Sequence, residues 1–279
     1  MKQTLLSLTA GASLCLLPAG HAAALFEEGF DYATGSLSGN GAWVGGASGL
    51  TVGSANLTYP GLADAANPGN DLLVTSGGTA GSMTVPFTSP AITSGSVYYS
   101  FLAECTALPT ANNYLTDLLP TGGSPNGSGD PLSLYVGQQT AGSTFKIGVR
   151  HQGVGSGATY TANTAYYNSL FTVGAVNLFV VKYTFGAGGS VSLYVDPATG
   201  GAEPTPDVSI AAGGTEAANL QIVGFKAQSA STAGNWIFDT LRVGTSWEDV
   251  TVPEPSSAAL LAVGLVGLAF RRRVGSGRK

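Results

Sequence analysis

Charged side chains are scarce in this 279-residue chain: Asp, Glu, Lys and Arg make up 10% of it, against roughly 25% in an average globular protein. Histidine and cysteine are scarcer still, at two each. His21 and Cys15 fall in an N-terminal stretch read below as a removable leader, which leaves His151 and Cys105. One histidine and one thiol exclude a zinc centre of the usual His/Cys type. They also exclude a disulfide within the mature chain, even in an oxidising compartment. Nucleophilic catalysis lacks its parts as well: no base accompanies Cys105, no Gly-x-Ser-x-Gly elbow precedes a helix, and the glycines do not compose a phosphate loop. Basic residues are few and misplaced for nucleic acid. Lys2 opens the chain and Arg271, Arg272, Arg273, Arg278 and Lys279 close it, so only Lys146, Arg150, Lys182, Lys226 and Arg242 remain in the body, amid nearly all of the 16 acids. Such a body repels nucleic acid phosphate and anionic headgroups, so DNA and RNA are excluded as partners.

What is present reads as strands. Hydrophobic residues reach 44%, enough for a core, and 41 glycines punctuate the sequence. Helical periodicity is almost missing between Leu25 and Val250, and no 20–50-residue repeat suggests a solenoid. Alternating or continuous apolar runs bounded by Gly, Pro, Asn and Ser predict strands at Ser96–Cys105, Leu132–Val136, Phe145–His151, Asn177–Phe185, Ser190–Val195, Leu220–Lys226 and Trp236–Val243. Within the first, Cys105 shares the phase of Val97, Tyr99, Phe101 and Ala103, which predicts a buried thiol. Phe145, Ile147 and Val149 share one face while Lys146 and Arg150 take the other, the pattern of a half-buried antiparallel strand. The run from Leu178 to Phe185, a Gly-Ala-Gly-Gly turn and the run from Val191 to Asp196 form a hairpin. Thr121–Asp130 reads as a surface loop. The expected fold is all-β: an antiparallel, jelly-roll-like β-sandwich over residues 25–250.

Both ends read as export labels. Lys2, an apolar stretch from Thr4 through Leu17 and the small-residue exit Ala19-Gly20-His21-Ala22-Ala23-Ala24 make residues 1–24 a Sec signal peptide, with cleavage after Ala22 or Ala24 both fitting. At the other end Pro253-Glu254-Pro255 precedes an uncharged apolar segment, Ser257 to Phe270, and then Arg271-Arg272-Arg273. That segment is shorter than the roughly 20 residues of a comfortable membrane span. The arginines would hold its end in the cytoplasm by the positive-inside rule. The two prolines keep the preceding peptide extended, in the form a protease can reach.

This tripartite tail, residues 251–279, resembles the PEP-CTERM sorting signal. The resemblance implies that Pro253, Glu254 and Pro255 are recognised by exosortase, a membrane-embedded cysteine protease. It also implies a transient membrane anchor and a final place at the cell surface or outside the cell. The hairpin "VVKYTF–turn–VSLYVDP" and the late "FDTLRVG" strand, with the opening Phe26-Glu27-Glu28-Gly29-Phe30-Asp31-Tyr32, resemble the concanavalin-like, laminin-G-like jelly roll. Asp196-Pro197 stands where that family often has Asp-Gly.

Candidate chemistry within the body is thin. The Glu-x-Asp-x-x-Glu spacing of sandwich glucanases is missing, Glu27/Glu28 and Glu248/Asp249 are adjacent and so point apart on a strand, and Glu104 is isolated. All of these read as solvated surface groups, and His151, at a strand end, as structural. Asp64, Asn67, Asn70 and Asp71 make an oxygen-rich loop that suits calcium or is simply a turn. Trp43, Trp236, Trp247 and the Tyr166-Tyr167 pair could stack on sugar rings, although Trp236 alternates with Phe238 as core residues do. The sequence therefore predicts a non-enzymatic surface or matrix protein that uses the Sec machinery and exosortase, requires no cofactor, and has polysaccharide as an alternative ligand. A glycan-degrading enzyme with an unrecognised site is the third reading.

Overall fold

The computed structural model describes residues 24–64, 69–125, 130–137, 143–151, 163–186, 189–211 and 216–252, Ser231 by its backbone alone. Residues 1–23, the sorting motif Pro253, Glu254 and Pro255, the apolar segment to Phe270, the cluster Arg271, Arg272 and Arg273, and Asn67 lie outside the described residues.

The strands, numbered in chain order, form two antiparallel sheets. The nine-stranded sheet holds β1 (Phe26–Glu28), β2 (Gly35–Ser36), β4 (Leu50–Val52), β5 (Leu72–Thr75), β7 (Ser96–Ala107), β13 (Val176–Thr184), β14 (Ser190–Val195), β15 (Val208–Ile210) and β17 (Asn235–Gly244). Its order is β15-β14-β13-β7-β17-β5-β4-β2, with β1 also on β17. The eight-stranded sheet holds β3 (Val44–Gly46), β6 (Gly81–Pro86), β8 (Asn113–Leu119), β9 (Leu132–Gly137), β10 (Thr144–Arg150), β11 (Thr164–Tyr166), β12 (Phe171–Thr172) and β16 (Ile222–Ala227). It runs β11-β10-β9-β8-β16-β6-β3, with β12 on β10. The expected all-β sandwich is thus observed, and each of the seven strands read from the pattern exists with ends shifted by at most two residues.

Alternation decides which side chains enter the core. Along β7, Val97, Tyr99, Phe101, Ala103 and Cys105 all join the central cluster, as do Phe145, Ile147 and Val149 of β10 and Val223, Phe225 and Ala227 of β16. Fully burying such side chains contributes roughly 1.5–3 kcal/mol each. In β17 the alternation breaks once. Trp236 and Phe238 point inward, a bulge at Asp239–Arg242 carries Thr240 at φ 51°, and Leu241 and Val243 then resume the inward phase. The bulge leaves both Asp239 and Arg242 on the outer face.

Two small apolar clusters cover that outer face of the nine-stranded sheet. One joins Leu102 and Leu178 to Leu57 and Leu62 of the segment 53–64, which folds back across the strands. The other joins Tyr98, Val180 and Tyr194 to Trp247 and Val250 of helix α1 (Trp247–Val250). A capping box fixes α1: the Asp249 amide donates to Ser246 Oγ (3.3 Å) and the Ser246 amide to Asp249 Oδ2 (2.8 Å). The chain stays pinned to its last described residues. The Gly200 amide donates to Thr251 O (2.8 Å) and the Ala63 amide to Val252 O (3.0 Å).

Candidate functional site

Register, more than any sequence motif, assembles the most distinctive surface. On the outer face of the eight-stranded sheet Tyr114 of β8 opposes Tyr135 of β9, Tyr135 opposes Gly148 of β10, and Gly148 opposes Tyr166 of β11. Three tyrosines therefore stand in one row over four strands. The Tyr135 and Tyr166 rings meet edge to face with centroids 6.5 Å apart. Glycine is needed twice beneath them. At Gly148 the backbone of β11 comes so close that a Cβ would strike the Ala165 carbonyl oxygen, and a Cβ on Gly137 would lie 3.0 Å from Cε1 of Tyr166. All three tyrosines are half-buried, and burial first, then neighbouring groups, pushes the hydroxyls of Tyr114 and Tyr166 up to about 12. At neutral pH they are uncharged hydrogen-bonding groups on flat apolar rings.

The adjoining row is charged and sunk into the surface. Asp117 opposes Ser133, and Ser133 opposes Arg150. The Arg150 guanidinium lies 5.3 Å from the Tyr135 ring centroid, and its Nη1 donates to Tyr135 Oη at 3.4 Å. Asp117 is fully buried, and Asp130 and Arg150 are 3% and 4% exposed. Burial and, next, the Asp130 charge push the Asp117 carboxyl well above the ordinary range, against the opposing pull of Ser133, Arg150 and Lys226. Lys146 and Lys226 stand half-buried on the same face.

The sequence missed this constellation because its members come from four strands and show no spacing pattern. The 121–130 segment, of which 126–129 lie outside the described residues, is exposed at Thr121, Gly122 and Ser124, as a surface loop is, and anchored at Pro125 and Asp130. Pro125 packs against Gly224, where a Cβ would lie 2.3 Å from the proline Cγ, and Pro125 and Asp130 are buried. Asp117 and Asp130 both lie below the surface of this face.

The residues singled out from the sequence separate into structural roles. Trp236 is core, as its alternation suggested. Trp43 and Trp247 are also buried, at 3% and 2% exposure, which removes them as sugar platforms. Trp43 donates to Glu28 Oε2 (3.0 Å) and Trp247 packs between Tyr98 and Tyr194. Tyr166 and Tyr167 point to opposite faces, Tyr167 toward the core. Glu28 is no solvated group, since it also accepts from the Phe30 amide and Tyr32 Oη, each at 2.7 Å. Asp249 is a buried cap. Glu27 reaches Arg242 at 3.4 Å. His151 is buried with Nδ1 2.9 Å from Pro131 O and its ring against Tyr183, a structural histidine as expected. Burial pushes the Cys105 thiol up to about 12, so it is inert.

The calcium loop does not assemble as read. Asn67 lies outside the described residues, Asn70 Nδ2 donates to Tyr32 O (2.7 Å), and the Asp64 carbonyl accepts from Arg242. Among the described residues no group of three or more His, Cys, Asp and Glu is placed to hold a metal. Among them, too, no helix is long and apolar enough to cross a membrane, and the segment expected to do so is not part of them.

Comparison with known proteins places the sorting signal. Residues 251–273 match the PEP-CTERM protein-sorting motif, a stretch that contains Pro253, Glu254, Pro255 and the three arginines. The motif marks an exported chain that is anchored transiently at the membrane, and it begins where Thr251 and Val252 are still bonded to the sandwich. No curated protein matches the chain. Among solved structures it is similar to the carbohydrate recognition domain of Emp47p, with 10% identity over 82% of this chain and 98% of that one and a TM-score of 0.47. A carbohydrate esterase from the Shiga toxin-encoding bacteriophage phi24B is similar at 13% identity over 79% and 97%, TM-score 0.45. The alginate lyase Aly36B is similar at 11% identity over 70% and 96%, TM-score 0.44. These likenesses extend to a β-sandwich outline, and the site is argued from this chain's own residues.

Proposed function

We propose that this chain is a non-enzymatic cell-surface or extracellular-matrix protein, exported through the Sec machinery and processed by exosortase at its C-terminal sorting signal. The observation that carries this reading is the sorting motif at 251–273, which follows the folded sandwich without a spacer. The burial of Asp117 and Asp130 supports the non-enzymatic part, because a general acid or nucleophile must touch the scissile bond. Fractionation tests it in a host that carries the protease. Replacing Pro253, Glu254 and Pro255 together by Ala retains the unprocessed chain in the membrane fraction. If mature mass and location are unchanged by that replacement, the sorting reading fails.

The tyrosine row favours a second reading, a carbohydrate-binding face. Tyr114, Tyr135 and Tyr166 offer neutral rings with hydroxyl groups, flanked by Lys146 and Lys226, which suits a polysaccharide bearing some negative charge. Binding of the chain to immobilised acidic and neutral glycans, with Tyr166→Ala as the control, separates this reading from a purely architectural role.

A further inference from the structure

The sandwich closes over the beginning of its own sorting signal. Thr251 and Val252, the first two residues of the matched motif, are still bonded into the folded body. Thr251 is fully buried. Its amide and hydroxyl both donate to Trp247 O (3.2 and 2.9 Å), and its carbonyl accepts from the Gly200 amide (2.8 Å). Val252 O accepts from the Ala63 amide (3.0 Å). One residue earlier, the buried hydroxyl of Ser100 on β7 donates to Val250 O (2.7 Å).

The two segments that supply the amides of Ala63 and Gly200 are themselves fastened to the nine-stranded sheet. Segment 53–64 packs Leu57 and Leu62 on Leu102 and Leu178, and Arg242 Nη2 donates to the carbonyls of Ala63 (2.8 Å) and Asp64 (2.5 Å). Segment 196–207 is held at both ends and in the middle. Asp196 accepts from the Leu178 amide (2.8 Å), Asp207 from the Val195 amide (2.8 Å), and Glu203 from Tyr98, Tyr194 and Lys182. The two arms meet at Gly61, where a Cβ would stand 2.9 Å from Thr199 Oγ1. Each arm therefore holds one carbonyl of the departing chain, while Trp247 packs edge-on against Tyr98 and Tyr194 just before it.

Consecutive Cα atoms are about 3.8 Å apart, so covalent geometry alone keeps Glu254 within roughly 8 Å of Val252. An extended peptide is gripped through its main-chain N–H and C=O groups. Those of Thr251 and the carbonyl of Val252 are already bonded within the body. A docked exit and an exit engaged by a protease therefore exclude one another, and binding of one kind depends on the population of the other. We propose that the exit segment 247–252 is an autoinhibitory contact: exosortase acts on chains in which this segment has undocked, and the opening equilibrium sets the processing rate. The inference rests on the sorting reading above and adds to it a regulation by the body. The bonds to Ser100, Gly200 and Ala63 lie at one end of the folded chain, where a segment opens without unfolding the sheets.

Pulse–chase labelling in a host that carries the protease follows conversion of the full chain to its mature mass, and amide exchange on the purified full chain follows Thr251. A short Gly-Ser spacer inserted between Val252 and Pro253 keeps the docked exit and the motif from Pro253 onward. It should speed processing roughly 10-fold with Thr251 exchange unchanged. Ser100→Ala removes the bond to Val250 O at constant chain length, and should speed both processing and Thr251 exchange roughly 3- to 10-fold. Val149→Ala, a core truncation in the other sheet, lowers global stability at least as much and should leave both rates as they are. Equal processing of wild type, spacer chain and Ser100→Ala overturns the inference and leaves the sorting reading in place. A gain from the spacer that Ser100→Ala does not share also overturns it, since the hindrance is then the bulk of the body. A gain that Val149→Ala shares overturns it too, because global stability is then what the protease senses. If no chain is processed, the sorting reading itself fails and this inference falls with it.

Discussion

Tyr135 and Tyr166 face one another across Gly148, their ring centroids 6.5 Å apart on three adjacent strands of the eight-stranded sheet. Tyr114 extends the same row onto a fourth strand. Replacing Tyr166 by Ala removes one ring from the edge of the row and leaves the core untouched. If the row binds a glycan, affinity falls by roughly 2- to 10-fold, corresponding to about 0.5–1.5 kcal/mol for one aromatic contact, while the melting temperature changes little. Affinity electrophoresis in polysaccharide gels together with thermal melting measures both. A large melting shift instead would make Tyr166 structural.

Glu203 gathers a pH-dependent cluster on the nine-stranded sheet. It accepts from Tyr98 Oη (2.6 Å), from Tyr194 Oη and from Lys182 Nζ (2.9 Å). Partial burial alone would raise its carboxyl, but the hydrogen bonds from Tyr194, Tyr98 and Lys182 outweigh that and hold it below the ordinary carboxylate range. A group depressed on folding contributes stability that is present above its unfolded pKa and is lost as pH falls through the folded one. For Lys182, burial pulls the ammonium down, yet Tyr98 and Glu203 leave it above its ordinary value, so its share is lost only at strongly alkaline pH. Glu203→Gln should therefore destabilise the chain by about 1–2 kcal/mol at pH 7, a figure reduced for partial exposure. The difference from wild type should shrink as pH falls below the ordinary glutamate range and vanish only once pH is below the lowered folded value. Urea unfolding at a series of pH values checks it.

Cys105 lies in the core with its Sγ donating to Ala107 O (3.2 Å), and burial holds its thiol near 12. Iodoacetamide at pH 8 should leave the native chain unlabelled and label it within minutes in denaturant. Mass spectrometry reads both states, and native labelling would show that β7 opens far more readily than its buried position implies.

Trp247 anchors the C-terminal exit. It packs edge-on against Tyr98 and Tyr194 with centroids 6.4 and 4.9 Å away, and the Thr251 hydroxyl and amide both bond its carbonyl. Trp247→Ala should cost about 3–5 kcal/mol, as large core truncations do. It should also release residues 247–252 locally, seen as faster amide exchange at Thr251. Since the sorting motif starts at that point, the same variant should be cut by exosortase no more slowly than wild type.

The strands were legible because their inward positions recur at period two. β7 and β10 show it without interruption, and the segment's chemistry is local. The sorting tail was legible for a related reason: its three parts are contiguous, so Pro253-Glu254-Pro255 and Arg271, Arg272 and Arg273 carry the signal in order. The place of Trp43 and Trp247 was not legible, because aromatic side chains look alike in sequence whether they face the core or the solvent. Trp43 and Trp247 were buried by partners such as Glu28 and Tyr194 that lie elsewhere along the chain.

The sequence alone determined the all-β class, the phase of the core and the address at the C-terminus, since each depends on neighbours within a few residues. Tertiary structure decided the rest. Sheet register set Tyr114, Tyr135 and Tyr166 in one row, sank Asp117 beside Arg150, and brought Asp71 against Asp239 at a bulge that reset the alternation. Cross-strand register depends on how whole strands bury their apolar faces together, and that balance is written across the chain and not at any single motif.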